Sequence, residues 1–199
     1  MRKTTIPFAG TIIGLIILSM IGICLTACGA AAVDSGDENL YVSLIADLGD
    51  EDAYALLEME YSCHVFVTSD RIYDAGSESQ AAVACDVYYY TGTKPEKLGT
   101  VMSEGTAYPV SFSKDGIYAA SGHHIEKYAV SEEDGVLYLE KGVYETFDDN
   151  GNAHYTCILG TEEQDSTEQE FTEMAEEYAA GQIIHFAYGA SDGCLNHIL

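Results

Sequence analysis

Basic residues are scarce in this chain: 8 Lys and Arg stand against 33 Asp and Glu, a formal charge of −25. So acidic a surface repels phosphate backbones, which excludes nucleic acid as a partner. Tryptophan is absent, yet 15 Tyr and 6 Phe remain. Disordered segments lack such aromatic content, so the bulk of the chain is expected to fold. Several chemical signatures are missing too. There is no His-Glu-x-x-His, no phosphate-binding loop and no glycine-rich dinucleotide fingerprint. There is no Cys-x-x-Cys pair either, which removes a zinc ribbon or a thioredoxin-like site. Carboxylates are so abundant that no glycosidase-like pair stands out. No residue is therefore assigned a catalytic or metal-binding role, and no cofactor is expected.

Charge is also missing from one particular stretch. Between Lys3 and Asp34 no charged side chain occurs, and Thr11 to Ile23 is almost wholly apolar, interrupted by Gly14, Ser19 and Gly22. A basic start at Arg2 and Lys3, an apolar run and a small-residue exit are the three parts of a secretory signal. The exit reads Leu25-Thr26-Ala27-Cys28 and resembles the lipobox of bacterial lipoproteins, in which an aliphatic and two small residues precede an obligatory Cys. The resemblance covers the N-terminal segment alone. It implies diacylglycerol on the Cys28 thiol, cleavage between Ala27 and Cys28, and a new amino group open to acylation. Each buried methylene contributes about 0.8 kcal/mol, so two acyl chains hold far more firmly than one.

On this reading residues 1–27 are a lipoprotein signal peptide, 28–37 a lipidated cysteine with a flexible tether, and 38–199 a single exported β-rich domain. The partner of Cys28 is then the membrane, and the location is the extracellular face of the cell membrane. Without Arg2 and Lys3 the basic count falls from 8 to 6 against 33 acids, a formal charge of −27 that suits solubility outside the cell. The competing reading is an uncleaved spanning helix, for which the uncharged stretch is long enough. In that case Cys24 is a second candidate for palmitate.

Beyond the tether, residues 38–49 place Leu40, Tyr41, Leu44, Ile45 and Leu48 at helical spacing. From there the period shortens. Tyr54 to Met59, Cys63 to Thr68, Val83 to Tyr90, Lys97 to Met102, Ala107 to Ser113, Ile117 to Ala120 and Ile125 to Val130 read as strands. Val136 to Glu140, Val143 to Phe147 and His154 to Leu159 follow, with Gly142 as a break. Asp115-Gly116, Asp134-Gly135 and Asn150-Gly151 between these runs are hairpin signals, because Gly takes positive φ at no steric cost. Thr167-Glu168-Gln169-Glu170 is a capping-box pattern ahead of Phe171, Met174, Ala175 and Tyr178, and Gly181 fits the helix exit. Ile183 to Tyr188 reads as a last strand. The fold class is α+β: mainly an antiparallel β meander, as a curled sheet, barrel or propeller-like blades, with a short N-terminal helix and one C-terminal amphipathic helix.

Cys85-Asp86-Val87-Tyr88-Tyr89-Tyr90, Lys97-Leu98-Gly99 and Asp115-Gly116-Ile117-Tyr118 resemble uncharacterised lipoproteins of Gram-positive bacteria. Those often carry a domain similar to integrin-type FG-GAP blades. A typical member has an Asp-x-Asp-x-Asp-Gly loop after a segment like Ala53-Tyr54-Ala55-Leu56-Leu57. This chain has Glu58-Met59-Glu60-Tyr61-Ser62-Cys63 there, so the calcium loop that the resemblance implies is not formed. Asp47 to Asp52 and Asp148 to Asn152 are acidic, yet solvated turns describe them better.

Cys63, Cys85, Cys157 and Cys194 allow three disulfide connectivities, or buried free thiols acting as small apolar groups. His123 and His124 are adjacent, so in a strand they point to opposite faces and do not form a shared site. Tyr88, Tyr89, Tyr90, Tyr108, Tyr118, Tyr128, Tyr138 and Tyr144 are either core and rim or, if they converge outward, a platform for a protein or glycan ligand. Two functions remain. One is a membrane-anchored, non-catalytic binding or interaction module. The alternative is a lipid-anchored extracellular hydrolase, with His123, His124 or His154 meeting Cys85 or carboxylates across strands.

Overall fold

Every second residue of Ala84–Tyr90 is buried, the period-two alternation of a strand with two unequal faces. The same rule runs through most of the computed structural model, which describes residues 35–60, 65–76, 80–131 and 133–188. Ala27 and Cys28 lie outside the described residues, as do Cys63, His64, Cys194 and His197.

The chain runs α1 (Ser35–Ala46), β1 (Ala53–Leu57), β2 (Val65–Ser69), β3 (Ile72–Asp74), β4 (Gln80–Ala82), β5 (Ala84–Tyr90) and β6 (Pro95–Met102). It continues through β7 (Ser111–Phe112), β8 (Ile117–Ala120), β9 (His124–Ser131), β10 (Val136–Phe147), β11 (Ala153–Leu159) and β12 (Glu162–Asp165). The last elements are α2 (Glu168–Ala180), β13 (Gln182–Ile183) and β14 (Ala187–Tyr188). Five strands form one sheet in the order β14-β1-β2-β5-β6, and seven form another in the order β12-β11-β10-β9-β8-β7-β13. β3 and β4 pair by themselves. The architecture is α+β and antiparallel, and neither a barrel nor a propeller is closed.

Three apolar clusters explain the layering. Val65, Val67, Val87 and Val101 of the smaller sheet pack with Ile117, Ala119 and Val130 of the larger one, so the two sheets share a core. On the far face of the larger sheet, Ala120, Ile125, Val143 and Cys157 meet Met174 of α2, with Phe171 and Tyr178 beside them. On the far face of the smaller sheet, Tyr41 and Ile45 of α1 pack on Phe66, bordered by Tyr54, Leu56, Tyr88 and Tyr90. Each sheet thus carries a helix on the side away from the other.

Sequence and structure part at instructive places. The first helix starts at Ser35, so Ser35, Gly36 and Asp37, read as tether, belong to α1. Val136 to Phe147 is one strand, with a register shift between Leu139 and Lys141. A bulge reverses the alternation. Leu137 therefore faces the smaller sheet, while Lys141 and Val143 face α2. Gly142 is not a break; a Cβ there would lie 2.8 Å from the Tyr144 hydroxyl. Ala107 to Ser113 contracts to β7. β12 escaped notice because Glu162-Glu163-Gln164-Asp165 has no apolar periodicity, as befits a charged edge strand.

Ile183 to Tyr188 is two strands rather than one. β13 pairs with β7 in the larger sheet and β14 pairs with β1 in the smaller one. Between them Ile184 and Phe186 enter the shared core, and their amides donate to Val110 O and Gln80 O.

The helix signals of α2 are met with one variation. The Glu170 amide donates to Thr167 Oγ1 at 3.2 Å, the N-cap bond. The Glu170 carboxylate accepts from Ser166 Oγ and from Lys141 Nζ, tying the cap to β10. Gly181 ends the helix at φ −65°, outside the left-handed region. It serves by lacking a Cβ, which would come within 3.1 Å of Tyr178 O and 3.2 Å of Ser111 Oγ.

Phe66 stacks on Tyr41 at 4.7 Å and on Tyr54 at 5.4 Å, and so carries the contact between α1 and its sheet. Phe66→Ala is expected to cost about 3–5 kcal/mol, and Thr167→Ala about 1 kcal/mol, in denaturant unfolding. A Phe66→Ala midpoint equal to wild type would remove α1 from the folded layer structure.

Candidate functional site

Covering of the smaller sheet by α1 is incomplete. Along β2 and β5 the outward residues after Phe66 and before Tyr88 are Thr68 and Asp86, which are register partners. Asp86 in turn pairs with Thr100 of β6. Three polar side chains therefore lie in a row across three strands. They floor a cleft of about 450 Å³, walled by Leu48, Asp52, Asp70, Arg71, Tyr88 and Met102.

A second bulge shapes this floor. The register of β5 on β6 shifts between Val87 and Tyr88, which pair with Gly99 and Lys97. In a regular strand Lys97 and Thr100 would face opposite sides. The extra residue turns both toward Asp86: Lys97 Nζ donates to Oδ2 at 2.6 Å and Thr100 Oγ1 donates to Oδ1 at 2.6 Å. The bond to Asp86 pushes the Lys97 ammonium pKa above its ordinary value. Around the rim, Arg71 Nε lies 3.7 Å from Asp70 and the Gly49 amide donates to Asp52 Oδ2 at 2.7 Å. Thr68 differs from its neighbours. It is 7% exposed, lines the cleft, and its hydroxyl has no hydrogen-bond partner among the described residues.

The histidines take separate partners. His123 Nδ1 lies 2.8 Å from Glu145 Oε2, and His124 rests against the Tyr144 ring. Tyr144 and Glu145 are consecutive in β10, so the two histidines face opposite ways. His124 Nδ1 also meets Ser121 Oγ at 2.8 Å, but that oxygen accepts from the amides of His123 and His124 and so closes the turn. His154 Nε2 is 3.8 Å from Asp148. No three His, Cys, Asp or Glu side chains converge as a metal site among the described residues.

Cys85 and Cys157 are free thiols, 1% and 0% exposed, one in each of two apolar clusters. Burial pushes the Cys85 thiol up to about 12, with the neighbouring Asp86 charge adding to it. Burial, then the Glu170 charge, raises that of Cys157. Neither has the character of a nucleophile. Lys127, only 9% exposed, donates to Asp115 and approaches Glu140 at 3.0 Å. Burial works against its charge, but the two carboxylates outweigh it and the pKa rises. An amine held protonated is a structural cation, not a general base.

The tyrosines divide among faces. Tyr88 and Tyr90 belong with α1, Tyr108 with α2, and Tyr128 with the core between the sheets. Tyr128 and Tyr144 both donate to the Glu126 carboxylate. They are core and rim rather than one platform.

The acidic turn before β11 is self-satisfied. Asp148 Oδ1 accepts from the amides of Asn150 and Asn152, and Oδ2 from Asn152 Nδ2, all at 2.8 Å. Gly151 completes it at φ +82°. Bonds from Asn152 above all hold Asp148 at about 2.

Sequence reasoning missed Thr68, Asp86 and Thr100 because nothing marks them before the register is known. An Asp inside the apolar-aromatic run Cys85 to Tyr90 was the available signal. The same reasoning also counts no Gly-x-Ser-x-Gly elbow in the chain, which is wrong: Gly189-Ala190-Ser191-Asp192-Gly193 spells that pattern. Those residues lie outside the described ones. The strand preceding them, β14, is a two-residue antiparallel edge, whereas a nucleophile elbow follows a strand of an α/β sheet.

No family model matches this chain, and no match to it was found among curated proteins or solved structures.

Two outcomes are expected in solution. Alkylation at about pH 8 should modify Cys85 and Cys157 only after denaturation, as read by peptide mapping. Labelling of either in the native chain would contradict their burial. The lowered Asp148 pKa contributes stability that is present above the ordinary carboxylate value of 3.8 and is lost as pH falls through about 2. The Asn150 and Asn152 amide signals should therefore hold steady through the usual carboxylate range in an NMR titration. They should move only near the lower value.

Proposed function

We propose that the chain is a membrane-anchored bacterial surface lipoprotein whose domain is a non-catalytic binding module. The observation that carries the anchor is Leu25-Thr26-Ala27-Cys28 at the end of an uncharged stretch behind Arg2 and Lys3. Cys28 is the lipidated residue and Ala27 the last residue removed. The charge of the remainder suits a domain standing in solvent beyond an anionic surface. Among the described residues no helix is long and apolar enough to cross a membrane, and none of Cys85, Cys157 and Lys127 has the environment of a catalytic group. What the domain offers is a polar cleft, and binding is the use such a cleft supports.

The anchor is tested by mass spectrometry and fractionation in a bacterial host. The wild-type chain should sit in the membrane fraction with a mature N-terminus at a diacylglyceryl Cys28, and Cys28→Ala should accumulate as unlipidated, uncut precursor. An intact Met1 peptide from the mature wild-type protein would sink this reading. The non-catalytic half is tested with a fluorophosphonate probe. Covalent labelling of Ser191 would replace it with a lipid-anchored hydrolase.

A further inference from the structure

The cleft on the smaller sheet keeps free bonding capacity on its floor. Buried polar side chains in folded proteins nearly always have hydrogen-bond partners, and among the described residues Ser111 Oγ is the buried side-chain oxygen without one. Thr68 is different: it is 7% exposed, and its hydroxyl opens into the cleft without bonding to a described residue. It sits at one end of the row Thr68, Asp86 and Thr100, on a floor where a hydrophobic side chain would otherwise extend the packing under α1.

The bonding capacity left on this floor defines what fits it. The Thr68 hydroxyl retains one donor and two acceptor positions. Thr100 has spent its donor on Asp86, so its lone pairs remain. The Asp86 carboxylate has about four acceptor sites, of which Lys97 and Thr100 take two. One free donor, on Thr68, thus stands beside a row of acceptors on Thr68, Asp86 and Thr100, the pattern that a ligand with several hydroxyl donors can meet. The one carboxylate on the floor, Asp86, is already paired with Lys97, and on the rim Asp70 faces Arg71 at 3.7 Å, while Asp52 keeps its charge and accepts from the Gly49 amide. A cationic ligand would have to displace Lys97 to reach the floor. An anionic one would have to approach a chain of formal charge −25. Tyr88, Leu48 and Met102 supply apolar surface beside the polar row.

We infer that this cleft binds a neutral saccharide of one or two rings, with Thr68, Asp86 and Thr100 meeting its hydroxyls and Tyr88 and Met102 meeting its C–H faces. The volume of about 450 Å³ lies within the range of small-molecule sites. The inference rests on reading the domain as a binding module and is independent of the anchor.

The test uses the full isotope-labelled chain in detergent micelles, titrated with cellobiose, maltose, lactose and chitobiose. Each is taken to about 10 mM, tenfold above the 1 mM Kd of a weak complex. At least one disaccharide should shift the amide signals of Thr68, Asp86 and Thr100. Thr68→Val keeps the β-branched shape and removes the hydroxyl, so it should weaken that binding about tenfold. Arg71→Ala, on the exposed rim, should leave the fold intact and weaken binding less. A titration with Nα-acetyl-lysine methylamide should leave these signals in place. Silence from all four sugars, shifts confined to other surfaces, unchanged affinity in a folded Thr68→Val chain, or preference for the lysine derivative would each overturn the inference. Fractionation of the same preparation separates the two readings: a chain that is lipidated but binds no sugar loses this inference alone, and one that binds sugar without lipid loses only the anchor.

Discussion

Burial of both faces of β2 is the constraint on which the rest of the molecule depends. Val65 and Val67 point into the core shared by the sheets, and Phe66 points the other way, between the rings of Tyr41 and Tyr54. A strand covered on one side needs one partner layer; a strand covered on both commits two. α1 is therefore no ornament on the smaller sheet. Its aromatic contact gives the outward side chains of β1, β2 and β5 somewhere to go. The larger sheet repeats the device with α2, where Met174 closes on Val143 and Cys157.

Local signals were readable where chemistry sits close together in sequence. The Thr167 cap and the positive-φ glycines at 135 and 151 depend on neighbours within a few residues and match the expectation, whereas Gly116 turns the chain without a positive φ. The antiparallel meander from β9 to β11 follows from the turns at 135 and 151. Relations across sequence were not legible. The bulges in β6 and β10 decide which face Lys97 and Val143 take, yet neither leaves a compositional mark. The pairing of sheets into a layered sandwich, rather than a barrel or blades, depends on which alternating faces meet, and alternation alone does not say.

The cleft illustrates the same limit. Thr68, Asp86 and Thr100 come from three strands, and only the register sets them side by side. Read singly, two threonines and an aspartate in apolar runs look like ordinary solvent-facing positions. The histidine pair is the opposite case, because adjacency in a strand already implied divergence, and the separate contacts of His123 and His124 follow.

The crossing of residues 182–188 from one sheet to the other has a consequence for how the domain comes into being. β14 lies against β1, so the last described strand completes the sheet that the first one began. Pairing between distant ends of a chain has to meet a large loop-closure entropy before its contacts stabilise anything. Ile184 and Phe186 enter the shared core at that same crossing. Without this segment the β1 and β7 edges would lie open and the seam between the sheets would lack Ile184 and Phe186. The same seven residues thus fasten the two sheets to each other at the end of the described chain.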